Sequence, residues 1–111
     1  MSFFKATQVD QVPIGQMKSF NVNGKDILVV NNDGKFYAIS GKCPHMDGEL
    51  SRGKLEGTVV TCPRHGSKFE VTTGRCLSGP KIGFVKLKAK DVATYEVKVE
   101  GNSILVDNYN G

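Results

Sequence analysis

The chain has 111 residues, 39% of them hydrophobic, with 13 Gly, 15 basic and 11 acidic side chains and a formal charge of +4. That length suits one domain and excludes two with separate cores. The longest unbroken apolar run, Ile27–Val30, excludes a membrane-spanning helix of about 20 residues. The opening MSFFKATQVD has no basic region followed by an apolar stretch, so no secretory signal is read and a cytoplasmic location is expected. Three Cys make an odd number, which argues against a disulfide framework and leaves metal binding, redox chemistry or burial.

Val, Ile and Thr number 24 against 10 for Ala and Leu. Side chains branched at Cβ suit a pleated surface better than a helix, so the chain is expected to be all-β. In chain order, strands are predicted at Phe3–Val9, Met17–Val22, Asp26–Asn31 and Phe36–Ser40. Hairpin turns are predicted at Asn23-Gly24 and Asp33-Gly34, because both central residues of the favoured turn need a positive φ. The run Ile27–Val30 reads as a strand covered on both faces. Gly41–Leu55 shows neither a helical nor a strand period and reads as a loop. Thr58–Thr61 and Lys68–Thr72 follow as strands, and Thr73-Gly74 as a turn. Residues 77–90 read as extended or looping chain, and Asp91–Thr94 as one short helical turn. Tyr95, Val97 and Val99 alternate with Glu96, Lys98 and Glu100. Gly101-Asn102 then leads into Ser103–Val106, a final hairpin with one buried face.

The chemistry-bearing pattern is Cys43-Pro44-His45, then sixteen residues, then Cys62-Pro63-Arg64-His65. Both His of the chain fall in it, beside two of the three Cys. Thiolate and imidazole are soft-to-borderline donors, and a Cys/His pair on one loop can meet a matching pair on a second. Each pair follows a predicted strand, so two loop tips can converge at one end of a β scaffold, with Gly48 and Gly66 allowing close backbone approach. Three readings are open for these residues. They are two buried thiols with hydrogen-bonded imidazoles, a structural zinc site, or a [2Fe–2S] cluster with two thiolates on one iron and two imidazoles on the other. The usual zinc spacing pairs Cys with Cys and His with His, whereas here each loop is mixed.

Cys43-Pro-His45-Met-Asp-Gly48 with Cys62-Pro-Arg-His65-Gly66-Ser67-Lys-Phe69 resembles the Rieske iron–sulfur family, specifically its small soluble, oxygenase-associated ferredoxins. The likeness extends to Phe69-Glu-Val-Thr-Thr-Gly74 and to the Pro-bearing loop Ser78-Gly79-Pro80. It implies an antiparallel β-sandwich or barrel base with a small cluster-binding subdomain of two loops. That subdomain spans about residues 41–83 of a single domain, 1–111. It also implies one Rieske-type [2Fe–2S] cluster held by Cys43, His45, Cys62 and His65. The function implied is that of a one-electron carrier. It would pass electrons from a ferredoxin reductase to a terminal acceptor such as an aromatic-ring hydroxylating oxygenase, with partners docking near His45 and His65. Such a carrier is not itself an enzyme, and neither membrane nor nucleic acid is an expected partner. The alternatives are a small zinc-binding interaction module and the small subunit of an assimilatory reductase. Related subunits of the latter kind often lack the ligands that are all present here.

Two departures bear on the redox potential. High-potential members resemble C-x-H-x-x-C with C-x-C-H, the extra Cys pair forming a disulfide, and here those places hold Gly48 and Arg64. The same members have a Tyr hydroxyl donating to a ligand sulfur where this chain has Phe69, although Ser67 keeps a hydroxyl nearby. A donor to sulfur favours the reduced, more negative cluster, so the potential is expected in the lower part of the Rieske range of about −150 to +300 mV. Cys76, outside the pattern, reads as a small core side chain. Residues 42–90 carry ten basic and four acidic side chains. Arg64, Lys68, Lys42 and the group Lys81, Lys86, Lys88 and Lys90 are therefore expected to rim a face that docks an acidic redox partner.

Overall fold

The computed structural model describes residues 2–44, 48–64, 66–79, 81–82, 85–86 and 90–107, with the backbone alone for 81–82 and 85–86. The described residues form strands β1 (Phe3–Gln8), β2 (Met17–Val22), β3 (Lys25–Asn32), β4 (Lys35–Ser40), β5 (Lys54–Glu56), β6 (Val59–Thr61) and β7 (Lys68–Glu70). They continue with β8 (Cys76–Ser78), β9 (Lys81–Ile82), β10 (Val85–Lys86), β11 (Thr94–Tyr95), β12 (Val97–Glu100) and β13 (Ser103–Asp107). All strand pairs are antiparallel, and the helical content of the described residues is two single 3-10 turns, Val9–Gln11 and Leu50–Arg52.

The meander β2-β3-β4 forms where the turn pairs direct it. Asn23 (φ 50°) with Gly24 (φ 86°), and Asp33 (φ 55°) with Gly34 (φ 90°), have the doubly positive backbone that matches the twist of the flanking strands. Asn21 and Asn31 each accept the N–H of the turn glycine three residues on, at 3.1 and 2.9 Å. These strands with β11 make a four-stranded sheet in the order β11-β4-β3-β2. A second sheet has the order β1-β13-β12, a third β5-β6-β7-β8, and β9 pairs with β10.

The central strand β3 divides the interior. Its side chains alternate across the pleat, so Ile27 and Val29 enter one core and Leu28 and Val30 the other, all four fully buried. Ile27 and Val29 meet Val12, Val22, Ala38, Ile104 and Val106, closing the meander against the β1-β13-β12 sheet. Leu28 and Val30 meet Ile39, Leu50, Val60, Phe69 and Val71, closing its opposite face against β5–β8. The continuous apolar run of the sequence is thus a strand covered on both faces.

Three local expectations are corrected. Gly41–Leu55 is not loop throughout, because it holds the Leu50–Arg52 turn, anchored by fully buried Leu50, and the start of β5. A three-residue strand with one inward side chain, Leu55, is too short to show a period. The strand beginning at Lys68 stops at Glu70, where the Glu70 carbonyl accepts the N–H groups of Thr73 (3.3 Å) and Gly74 (2.7 Å) and turns the chain. Asp91–Thr94 forms no helical turn. The Val92 N–H donates to Gly74 O (2.8 Å) and the Ser40 N–H to Ala93 O (2.9 Å), which holds the segment extended into β11. The alternation from Tyr95 to Val99 is real but is shared between two sheets, since Tyr95 pairs with Ala38 and Val97 with Val106.

Candidate metal centre

Both cysteine loops leave the ends of strands beside the second core. The first follows β4, where Leu50 N–H donates to Gly41 O at 3.0 Å and Lys42 bridges Glu49. The second follows β6 directly. The two loops are closed alike. The Cys43 N–H donates to the carbonyl of Gly48 at 2.8 Å, and the Cys62 N–H donates to the carbonyl of Ser67 at 2.7 Å, five residues on in each case. Gly66 N–H also donates back to Cys62 O at 3.2 Å. Each loop is therefore headed by a cysteine and contains one histidine of the sequence pattern. His45 and His65 themselves lie outside the described residues.

Cys43 and Cys62 are 2% and 1% exposed, belong to one core and are in no disulfide. The loops touch through Gly48. A Cβ on this glycine would stand 2.9 Å from Cys62 Sγ and 3.2 Å from Arg64 Cγ, so the absent side chain is what lets the end of one loop close over the cysteine of the other. Ser67, 1% exposed, has a hydroxyl without a hydrogen-bond partner among the described residues. A buried hydroxyl left unbonded costs about 1–3 kcal/mol, and Ser67 closes the Cys62 loop through its carbonyl, so the hydroxyl fits a donor to an acceptor that is not protein. Phe69, the other residue bearing on the potential, is fully buried in the same core.

Two buried thiols on facing loops, with a buried hydroxyl unpartnered among the described residues at the close of the second loop, fit a sulfur-ligated cluster. Residues 2–96 match the family described as the Rieske [2Fe-2S] domain. The chain belongs to that family. This Rieske protein is 37% identical over 111 residues to the ferredoxin component of biphenyl 2,3-dioxygenase from Rhodococcus jostii (strain RHA1), covering 100% of this chain and 97% of the relative. It superposes with a TM-score of 0.77, at 30% identity, on the ferredoxin of carbazole 1,9a-dioxygenase from Nocardioides aromaticivorans IC177, covering 96% of this chain and 97% of that one. It also superposes with a TM-score of 0.72, at 27% identity, on a chain in a complex of reduced oxygenase and oxidized ferredoxin in carbazole 1,9a-dioxygenase, covering 94% and 91%. The Rieske protein thus carries one [2Fe–2S] cluster and is an electron carrier, not a catalyst.

Of the remaining sequence candidates, Cys76 is half-buried on β8 and packs against the same core, with its N–H donating to Asp91 Oδ1 at 2.8 Å. Its partial burial pushes the thiol pKa above the ordinary 9.0, with the Asp91 charge adding to the rise. Lys42, Arg64 and Lys68 lie at or near the loops, whereas Lys88 lies outside the described residues, as do the side chains of Lys81 and Lys86. Glu49 and Arg52 belong to no motif of the sequence yet are paired beside the first loop. Glu49 Oε2 lies 3.0 Å from Arg52 Nε and its Oε1 3.5 Å from Lys42 Nζ. Their spacing of three residues was the one available signal.

Proposed function

We propose that Cys43 and Cys62 ligate one iron and His45 and His65 the other, in a cluster-binding subdomain at about residues 41–83 of a single domain, 1–111. The observation that carries this reading is the shared closure of the two loops, each headed by a buried cysteine and enclosing one histidine. When bound, the cluster supplies a site that accepts and releases one electron. The polypeptide excludes water from the thiolates, holds the loops together at Gly48 and offers the Ser67 hydroxyl as donor to sulfur.

The electron passes from a ferredoxin reductase to a terminal oxygenase, a reading supported by relatives named as dioxygenase ferredoxin components and by the ferredoxin–oxygenase complex on which this chain superposes. Partners dock near His45 and His65. The location proposed is cytoplasmic; among the described residues no helix is long and apolar enough to cross a membrane. Electron paramagnetic resonance of the dithionite-reduced protein tests the ligand set. A signal of mixed nitrogen and sulfur ligation is expected, and an all-thiolate signal, or colourless protein after anaerobic reconstitution, refutes it.

A further inference from the structure

Beside the two loops the surface is indented by a notch of about 340 Å3 lined by Lys42, Gly48, Glu49, Arg52, Pro63 and Arg64. Three cations and one anion line it. Glu49 is shared between Arg52 and Lys42, and Asp26 lies 3.9 Å from Lys42, so two of the cations already have carboxylates. Arg64 is in no ion pair among the described residues, and its side chain lies against Gly48, 3.2 Å from the place a Cβ would take. We propose that this notch seats a surface carboxylate of an acidic redox-partner protein, with Arg64 as the residue that receives it.

The proposal rests on the electron-carrier reading and adds to it the chemistry of the partner's face. The planar guanidinium of Arg64 offers two parallel N–H donors to one carboxylate, a geometry a lysine cannot supply. One such pair in water is worth only about 1 kcal/mol, too little to retain a small anion. A protein bearing many carboxylates gains instead from the charge of the segment as a whole, since residues 42–90 carry ten basic and four acidic side chains along the sequence. A carboxylate in the notch lies beside Gly48, whose missing side chain lets the first loop come directly against Cys62 and Arg64 of the second.

The test uses the cluster-loaded, dithionite-reduced protein and poly-L-glutamate as the acidic polypeptide. Reoxidation by hexacyanoferrate(III) is followed by stopped flow at low ionic strength. Each variant is first checked for its visible absorption, and wild-type protein lacking that absorption speaks against the cluster assignment, not against the notch. Poly-L-glutamate is expected to slow wild-type reoxidation severalfold. Arg64→Gln should lose most of that inhibition relative to its own uninhibited rate, and Arg64→Lys should recover part of it. Lys5→Gln, on the β1-β13-β12 sheet, should be inhibited like wild type. Equal inhibition of wild type and Arg64→Gln overturns the proposal, as does equal relief by Lys5→Gln. Inhibition by citrate at the same carboxylate concentration that matches the polymer's overturns it too, since the notch would then be a small-anion site.

Discussion

Gly48 lies directly against Arg64 across the two loops. A Cβ on the glycine would be 3.7 Å from the Cβ of the arginine, within the range of about 3.5–4.5 Å that two disulfide-linked cysteines span. High-potential Rieske proteins carry a disulfide at the matching places, and here the same approach is kept by packing and hydrogen bonds alone. The double variant Gly48→Cys with Arg64→Cys is therefore expected to cross-link its loops on air oxidation, the first loop shifting slightly so that the added Cβ clears the Cys62 sulfur. Five cysteines would then leave three titratable thiols in denaturant. A count of five after oxidation would show that the loops do not meet this way.

Ser67, as a donor, is expected to raise the potential, and Phe69, which lacks the hydroxyl of a tyrosine, to leave it lower. Ser67→Ala removes the buried donor and should lower the midpoint potential by on the order of 50 mV, the equivalent of roughly 1 kcal/mol for one electron. Phe69→Tyr adds a hydroxyl within the same core and should raise it. A spectroelectrochemical titration of the three proteins decides. No change in Ser67→Ala would contradict the assignment of this hydroxyl, and a wild-type value near the top of the Rieske range would contradict the expected low potential.

Ile27 and Leu28 are neighbours in sequence that serve different cores. Each truncation to Ala should cost about 2–5 kcal/mol of stability, read from urea unfolding. Only Leu28→Ala opens the core that contains Cys43 and Cys62, so it alone should change the visible spectrum or the iron content. Matching spectral effects in both variants would mean that the two cores act as one.

Cys76 should be a slow thiol. Partial burial raises its pKa above 9.0, so the native protein at pH 8 is expected to be alkylated by iodoacetamide at Cys76 more slowly than the denatured chain. The linkage has a definite sign. With the folded value above the unfolded one, the contribution to stability is complete below about pH 9 and is lost as pH rises through the folded pKa. Urea midpoints should fall between pH 8 and pH 10 by less in Cys76→Ser than in wild type. An identical fall in both would assign the alkaline loss to other groups, of which Tyr95, also raised by burial, is one.

Much of this molecule was legible in its residues. The turn pairs Asn23-Gly24 and Asp33-Gly34 and the run Ile27–Val30 specify the meander, because positive φ and two-sided burial are demands a short sequence can state. The spacing of Cys43, His45, Cys62 and His65 pointed to paired donor loops for a similar reason, since ligand chemistry restricts which side chains can serve.

Tertiary structure decided what depends on partners distant in the chain. Tyr95 and Val97 part to different sheets because one finds Ala38 and the other Val106, which a shared alternation cannot reveal. The segment before them stays extended because Gly74 and Ser40 take its hydrogen bonds. The seating of Gly48 on Arg64 and the isolation of the Ser67 hydroxyl likewise exist only once the two loops are side by side. Local sequence sets backbone preference and donor type, whereas contact between loops is a property of the packed interior that holds their ends.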